Sequence, residues 1–331
     1  MSTYRAAVVE HRGGSEAIRF EEKELRPPGP GEARLRMLAA PVVQDDVATR
    51  VGNRPFLPKT PFVPGYSVIG EVEALGSGVA SVGLGDRVGA LTQLGSHAEK
   101  VYWPAADLVA VPQSLDSAQA SVLILNYLVA FQILHRVAKV KTGDRLLVIG
   151  ASGGVGTAFL DLGRQAGLET AGLASAAKHE PLREFGAFLV DYHDPGFIDA
   201  IKESTPAGFD YVVNGMGEEY LGPGMRLLRR GGTLIHYGGP QSLPRFFGLL
   251  VLFGWYNLLP NGKRVAGYGT HRLGVDKFKP DWTTLFEWLG RGEITPVIAA
   301  RFPLSQIRQA NELVESGRAV GGVILLGEGK N

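Results

Sequence analysis

The stretch Leu146-Leu147-Val148-Ile149-Gly150-Ala151-Ser152-Gly153-Gly154-Val155-Gly156 constrains this chain more than any other. An apolar strand pattern runs into glycines spaced three apart, and a helical pattern opens at Gly154. Glycine has no Cβ, so the turn can be tight and an anion can approach the backbone closely. The opening helix aims unpaired N–H groups and the positive end of its dipole at that anion. The pattern predicts a bound dinucleotide and, with it, redox chemistry. A tight strand-to-helix turn with no ligand uses the same glycines, so context has to decide.

The context agrees. From residue 145 onward, strand and helix patterns alternate. Strands are expected at 145–149, 169–174, 187–190, 209–213 and 232–237, with helices at 154–166, 178–185, 197–204 and 218–229. Such alternation builds a parallel, doubly wound α/β sheet. The first third differs. Glu32-Ala33-Arg34-Leu35-Arg36-Met37-Leu38 alternates polar and apolar, as a half-buried strand does, and Pro/Gly-rich turns separate it from its neighbours. Residues 118–137 read as helices that cross from one domain to the next. After residue 264, strand and helix patterns mix again. No internal repeat or low-complexity segment appears.

The totals narrow the function classes. The chain has 331 residues, 34 basic and 33 acidic, giving a net charge of +1. That length allows two domains, each with its own core. The near-neutral balance gives no general drive toward nucleic acid or anionic membranes. No cysteine is present, which excludes disulfides and thiolate metal sites and suits a reducing, cytoplasmic setting. The N-terminal residues are polar and lack an apolar run of signal-peptide length. The apolar run at 246–259 is shorter than the roughly twenty residues of a spanning helix. It is expected to be a buried helix or a lid, with contact at a membrane surface the alternative.

The end of the second expected strand bears on cofactor choice. An NAD enzyme places a carboxylate there for the ribose diol. This chain has Ala174-Ser175, then Lys178 and His179, with Arg183 one turn on. Cations and hydroxyls suit a 2′-phosphate, so NADPH is expected over NADH. In the alternative, Lys178 and Arg183 only solvate an exposed helix.

Several segments, in order, resemble the medium-chain dehydrogenase/reductase superfamily, in particular its zinc-free branch of quinone oxidoreductases, zeta-crystallin and vesicle amine transport protein. They are Pro28-Gly29-Pro30-Gly31-Glu32, Pro61-Phe62-Val63-Pro64-Gly65-Tyr66, Gly70-Glu71-Val72, Gly85-Asp86-Arg87-Val88, Asn126-Tyr127-Leu128-Val129-Ala130-Phe131, the glycine loop, and Arg229-Arg230-Gly231-Gly232 before Tyr237-Gly238. The resemblance spans essentially the whole chain. It implies a GroES-like β domain (1–122 and 268–331) interrupted by a Rossmann domain (123–267), and a homodimer paired through the Rossmann sheet edge.

The resemblance also implies site residues. For the cofactor these are Gly150, Ser152, Gly153, Gly154, Val155, Gly156, Ser175, Lys178 and Tyr192. Asn214, Gly215, Tyr237 and Gly238 join them at carboxyl ends of strands, where ligands collect. Tyr192 has an alternative role, capping the sheet edge with its ring. The zinc enzymes of the superfamily hold their catalytic metal with Cys, His and Cys or Asp. Here Val43 stands at the first of these positions and Gly65-Tyr66-Ser67 replaces Gly-His-Glu, so no metal is expected. The seven histidines (His11, His97, His135, His179, His193, His236 and His271) lack ligand spacing.

Without a Lewis acid, the expected acceptor is already polarised: a quinone or an α,β-unsaturated carbonyl. The expected pocket residues are Val43, Gln44, Asp46, Tyr127 and Val129, with Tyr66 and Asn126 as catalytic candidates. Tyr66 either donates to a developing oxyanion or packs under Pro64. Asp46, beside Asp45, is favoured as a helix cap over a pKa-shifted acid. Asn126 either touches the nicotinamide or breaks a helix. Two other functions stay open: a non-catalytic or membrane-associated NADPH-binding protein, and a dedicated biosynthetic enoyl reductase.

Overall fold

The computed structural model describes residues 2–270 and 277–328, so His271 lies outside the described residues. The chain forms two units, Met1–Leu128 with Gly274–Asn331, and Val129–Leu273. The boundaries fall a few residues beyond those expected at 122/123 and 267/268, inside one continuous helix on the N-terminal side.

In chain order the elements that position the sites are β1 (Thr3–Val9), β2 (Ile18–Glu24), β3 (Glu32–Val42), α1 (Gln44–Val51), β4 (Ser67–Leu75), β5 (Arg87–Leu91), β6 (Lys100–Pro104), β7 (Val109–Ala110) and the long helix α2 (Ser117–Ala138). Then come β8 (Arg145–Ile149), α3 (Gly154–Gln165), β9 (Glu169–Leu173), β10 (Phe188–Val190), α4 (Phe197–Ser204), β11 (Phe209–Asn214), α5 (Leu221–Leu227), β12 (Leu228–Tyr237), α6 (Leu243–Leu258) and β13 (Arg264–Tyr268). The chain closes with α7 (Lys279–Gly290), β14 (Ile298–Pro303), α8 (Ile307–Glu315) and β15 (Gly322–Leu326).

The first unit is built on a sheet in the order β14-β15-β3-β4-β5-β7, with β6 also paired to β3. The alternation of β3 works as the sequence pattern requires. Ala33, Leu35 and Met37 enter the core, while Arg34 and Arg36 point outward toward Glu73 and Glu71. Val68, Val88, Ile307 and Leu325 join that core. The N-terminal part of α2 packs on β4 and β5, with Ile124 filling the space beside Gly89. Here the helix widens into a π turn over Leu123–Tyr127, so Asn126 does not break it. The indole N–H of Trp282 donates to the Ile124 carbonyl at 3.0 Å, meeting an acceptor in the widened turn. By length and composition α2 is apolar enough to cross a membrane, yet 89% of that stretch is buried, as in a soluble core helix.

The second unit is a six-stranded parallel sheet in the order β10-β9-β8-β11-β12-β13. The order reverses between β8 and β11, which makes a crevice at their carboxyl ends. Strands β8 and β11 are buried on both faces and therefore read as apolar runs rather than alternating ones.

Three expectations are corrected here. The helix expected at 178–185 is two 3-10 turns, Ala176–Lys178 and Glu180–Phe185, because the segment is short and Pro181 interrupts its amide donors. The helix expected at 218–229 ends at Leu227, and β12 begins at once through Arg229-Arg230-Gly231-Gly232 with Gly231 at φ +83°. The run at 246–259 is a helix, α6, but not a buried one. Leu249 is its buried residue, and Leu252, Phe253 and Tyr256 pack on the core. The opposite face leaves Leu243, Phe247, Leu250, Val251, Trp255 and Leu258 exposed.

Candidate functional site

The glycine loop of the second unit is a backbone cradle. Gly150 turns at φ +90°, which L side chains rarely adopt. A Cβ on Gly156 would stand 2.0 Å from the Gly150 carbonyl oxygen, so only glycine fits there. Helix α3 starts at Gly154 with no side chain capping it, and its first intrahelical donor is the Thr157 N–H, bonded to Gly153 at 2.8 Å. The preceding amides at Gly154, Val155 and Gly156 are those an approaching diphosphate meets. These residues fit a dinucleotide.

Lys178 comes back to this loop. Its Nζ donates to Ser152 Oγ at 3.4 Å, and burial lowers its pKa. Ser175 opens the turn that carries it. The expected companions do not join. His179 folds back onto the Ala174 carbonyl at 2.8 Å, and Arg183 points to solvent, pairing with Glu180 at 2.9 Å. No acidic residue stands at the end of β9, where the chain reads Ala174-Ser175-Ala176-Ala177. Asp191 accepts from the amides of Ala176 and His193 and so ties the Ser175–Lys178 turn to the Tyr192 loop. The Tyr192 ring packs against His193 and edge-on to Tyr220.

At the other strand ends, Asn214 is fully buried and uses both ends of its amide on its own turn. It donates to the Gly217 carbonyl at 2.7 Å and accepts from the Met216 amide at 3.0 Å. Its part is to shape the turn that presents Gly215. The Tyr237 ring lies against Gly215, where a Cβ would meet its phenol carbon and oxygen at 2.4 Å, and it also packs on Phe159 with ring centroids 5.4 Å apart. Met216 lies over Gly150 in the same way. Gly150, Gly215, Met216 and Tyr237 thus converge at the crevice between β8 and β11, and Gly238 follows at φ +95°.

In the first unit, two distant loops are stitched together by Asp46. One carboxylate oxygen accepts the Val43 amide at 2.9 Å, capping α1, and the other accepts the Gly65 amide at 3.0 Å. Burial pushes its carboxyl up to about 7, opposed by those two N–H donors. Asp46 is therefore a positioning group that sets Gly65-Tyr66, with Gln44 beside it in the first turn of α1. The Tyr66 carbonyl accepts from the amides of Thr92 and Gln93 at 2.8 and 2.9 Å. The Tyr66 phenol is buried, which raises its pKa and keeps it protonated, and Arg54 opposes that shift. Asn126 and Tyr127 are buried on α2, and Val129 begins the second unit.

Two residues of this cluster carried no local sequence signal. His97 is wholly buried beneath Gly65. Its Nε2 sits 3.1 Å from the Pro41 carbonyl, and burial pushes its pKa down to about 4. Arg54 turns back to pair with Asp45. A zinc site does not fit this cluster. Val43, Tyr66 and Ser67 lack good zinc donors, and among the described residues no group of three or more His, Cys, Asp or Glu is placed to hold a metal.

Two family models match the chain: an alcohol dehydrogenase GroES-like domain over residues 29–113 and a zinc-binding dehydrogenase domain over residues 185–325. The synaptic vesicle membrane protein VAT-1 homolog of Rattus norvegicus is 31% identical, across 97% of this chain and 84% of that protein. The quinone oxidoreductase of Sus scrofa is 31% identical, across 95% of each chain. A mycobacterial protein solved in complex with NADPH has the same fold, with a TM-score of 0.85 at 27% identity over 98% of this chain and 99% of that one.

Proposed function

Because the chain belongs to the medium-chain dehydrogenase/reductase superfamily, an oxidoreductase family, we propose that it is an NADPH-dependent, zinc-free reductase of quinones or α,β-unsaturated carbonyls. The observation that carries the cofactor choice is the meeting of Lys178 Nζ with Ser152 Oγ at the glycine loop, where the adjoining strand end has no carboxylate. An ammonium and two hydroxyls, those of Ser152 and Ser175, suit a phosphoryl group. The similar mycobacterial protein solved with NADPH supports the same choice.

When bound, the reduced nicotinamide supplies a hydride. The residues of this chain do the rest. The amides at the start of α3 neutralise the diphosphate, and Tyr237 and Gly215 line the crevice. The Tyr66 phenol, protonated at neutral pH, donates a hydrogen bond to the acceptor oxygen as negative charge grows there. Asp46 holds the backbone that aims it. An acceptor with a conjugated carbonyl needs no further Lewis acid, which matches a site without zinc donors.

Calorimetric titration with NADPH and NADH, followed by a turnover screen with quinones, alkenals and enones, tests this reading. Tighter NADPH binding and turnover of at least one acceptor class is expected. Equal affinities or no turnover refutes it. We further propose a cytoplasmic homodimer that covers the exposed face of α6 beside the open edge of β13. The exposed Phe247, Val251 and Trp255 also favour a second reading, a membrane-surface contact. Flotation with anionic vesicles separates the two, since a homodimer stays in the soluble fraction.

A further inference from the structure

We propose that two copies of this chain meet helix to helix, the exposed face of α6 against its counterpart about a two-fold axis, while Asn257 closes the free edge of β13 to strand pairing. This rests on the homodimer proposed above and fixes which of its surfaces meet.

Strand β13 is the last of its sheet, and among the described residues β12 is the one strand paired with it. Such an edge invites a second strand. Asn257, near the end of α6, stands in for one. Its Nδ2 donates to the Val265 carbonyl at 2.9 Å, and its Oδ1 accepts the Val265 amide at 2.9 Å. A parallel strand turns the N–H and C=O of one residue to one side and those of the next residue to the other. Val265 and Gly267 therefore face away from β12, and Arg264, Ala266 and Tyr268 face toward it. With Val265 taken by Asn257, β13 has Gly267 left to offer an incoming strand. One residue does not make a ladder.

The face of α6 beside this edge has the size and composition of an interface. Leu243, Phe247, Leu250, Val251, Trp255 and Leu258 are 43–82% exposed. A large side chain has about 150–250 Å² to cover, so these six leave on the order of 700 Å² of apolar surface. The largest patch on a typical monomer is about 300–600 Å², and each partner in a standard interface contributes about 800 Å². Phe247, Val251, Gly254 and Leu258 recur at the alternating spacing of four and three along which two helices pack. Among the described residues, none outside its own turn of helix comes within 4 Å of a Cβ placed on Gly254, so a second helix can approach closely there. Charge decides between occupants. A helix that lies on anionic lipid carries Lys and Arg along its polar border. Helix α6 has Arg245 as its one charged residue, hydrogen-bonded to Gln241 at 2.6 Å. A face without charge meets its own copy with no like charges opposed.

Sedimentation equilibrium of the full chain over a concentration series, without lipid, tests the proposal. The wild type should dimerise. Val251 is 74% exposed, so Val251→Arg is tolerated in the single chain, yet it sets like charges against each other across the two-fold axis. It should raise the dimer dissociation constant at least about a hundredfold. Gly254→Leu adds bulk without charge and should raise it about tenfold or more. Both variants should melt no lower than a wild-type monomer. Hydrogen exchange at the Gly267 amide, read residue by residue, should run at the same rate in monomer and dimer. A dimer that withstands either substitution, or that slows exchange at Gly267, overturns the helix-to-helix mode and leaves the homodimer standing. A wild-type chain that stays monomeric throughout overturns both, and flotation of that monomer with phosphatidylserine vesicles would identify a membrane surface as the occupant.

Discussion

Replacing Lys178 with alanine separates a phosphate-reading lysine from a lysine that merely solvates a surface turn. Two unit charges about 4 Å apart interact by about 4 kcal/mol at the effective dielectric of a protein surface, and by about 1 kcal/mol in bulk water. Lys178 is half-buried and anchored at 3.4 Å to Ser152 Oγ, so its ammonium sits between these limits. A loss of about 2 kcal/mol in binding the 2′-phosphate follows, which is roughly thirtyfold in the dissociation constant. NADH lacks that phosphate, and its affinity should change by less than about twofold, because the amides of the glycine loop are untouched. The assay is tryptophan or nicotinamide fluorescence titration with each cofactor at two salt concentrations. The wild-type preference for NADPH should shrink as salt rises, since a partly exposed charge pair is screened. Equal losses for both cofactors, or no loss for either, would refute the assignment of Lys178.

Other consequences are equally concrete. Gly156→Ala forces a Cβ to within 2.0 Å of the Gly150 oxygen, so it should cost about 1–3 kcal/mol of stability in urea unfolding and abolish measurable cofactor binding. Asp46 and His97 give opposite pH dependences. Folding raises Asp46 from 3.8 to about 7, so between those values the folded chain holds a proton the unfolded chain has lost, and this group lowers stability as pH rises. Folding lowers His97 from 6.5 to about 4, so between those values the unfolded chain holds the extra proton, and this group lowers stability as pH falls. The two offset each other between about pH 4 and 6.5. In urea unfolding, Asp46→Asn should therefore gain about 3 kcal/mol relative to wild type on going from pH 4 to pH 7, and a pH-independent difference would contradict the burial argument. Tyr66→Phe removes one hydrogen bond to the developing oxyanion, so kcat should fall by roughly a hundredfold with the NADPH dissociation constant unchanged, as stopped-flow and titration would report.

Much of the second unit was legible because its signals are local. Strand β8 is an apolar run that meets glycines at once, and α4 has a clear apolar face between turn residues. The same locality explains the errors. A polar stretch such as Arg229-Arg230-Gly231-Gly232 reads as a helix end or a turn, yet it lies within β12 as an irregularity between the pairings of Leu228 with Phe209 and of Thr233 with Tyr211. The hydrophobicity of α6 was visible, but which of its faces is covered depends on neighbours that only the sheet order supplies. In the first unit, Asp46 was readable as a cap because its Val43 partner is three residues away. Its second partner, Gly65, lies nineteen residues on and leaves no period in the chain. His97 joined the cluster through the same kind of long-range contact, to Pro41, and Arg54 through a pair with Asp45 that follows no helical period, so neither stood out among the other arginines and histidines.

Isotope transfer from NADPH deuterated at the reactive C4 hydrogen tests the central claim most directly. An enone is incubated with chelator-treated protein, and the saturated product is analysed by mass spectrometry and NMR. The account predicts one deuterium bound to the carbon β to the carbonyl, at a rate that added zinc does not change. A product without deuterium, or turnover that appears only when zinc is restored, would contradict it.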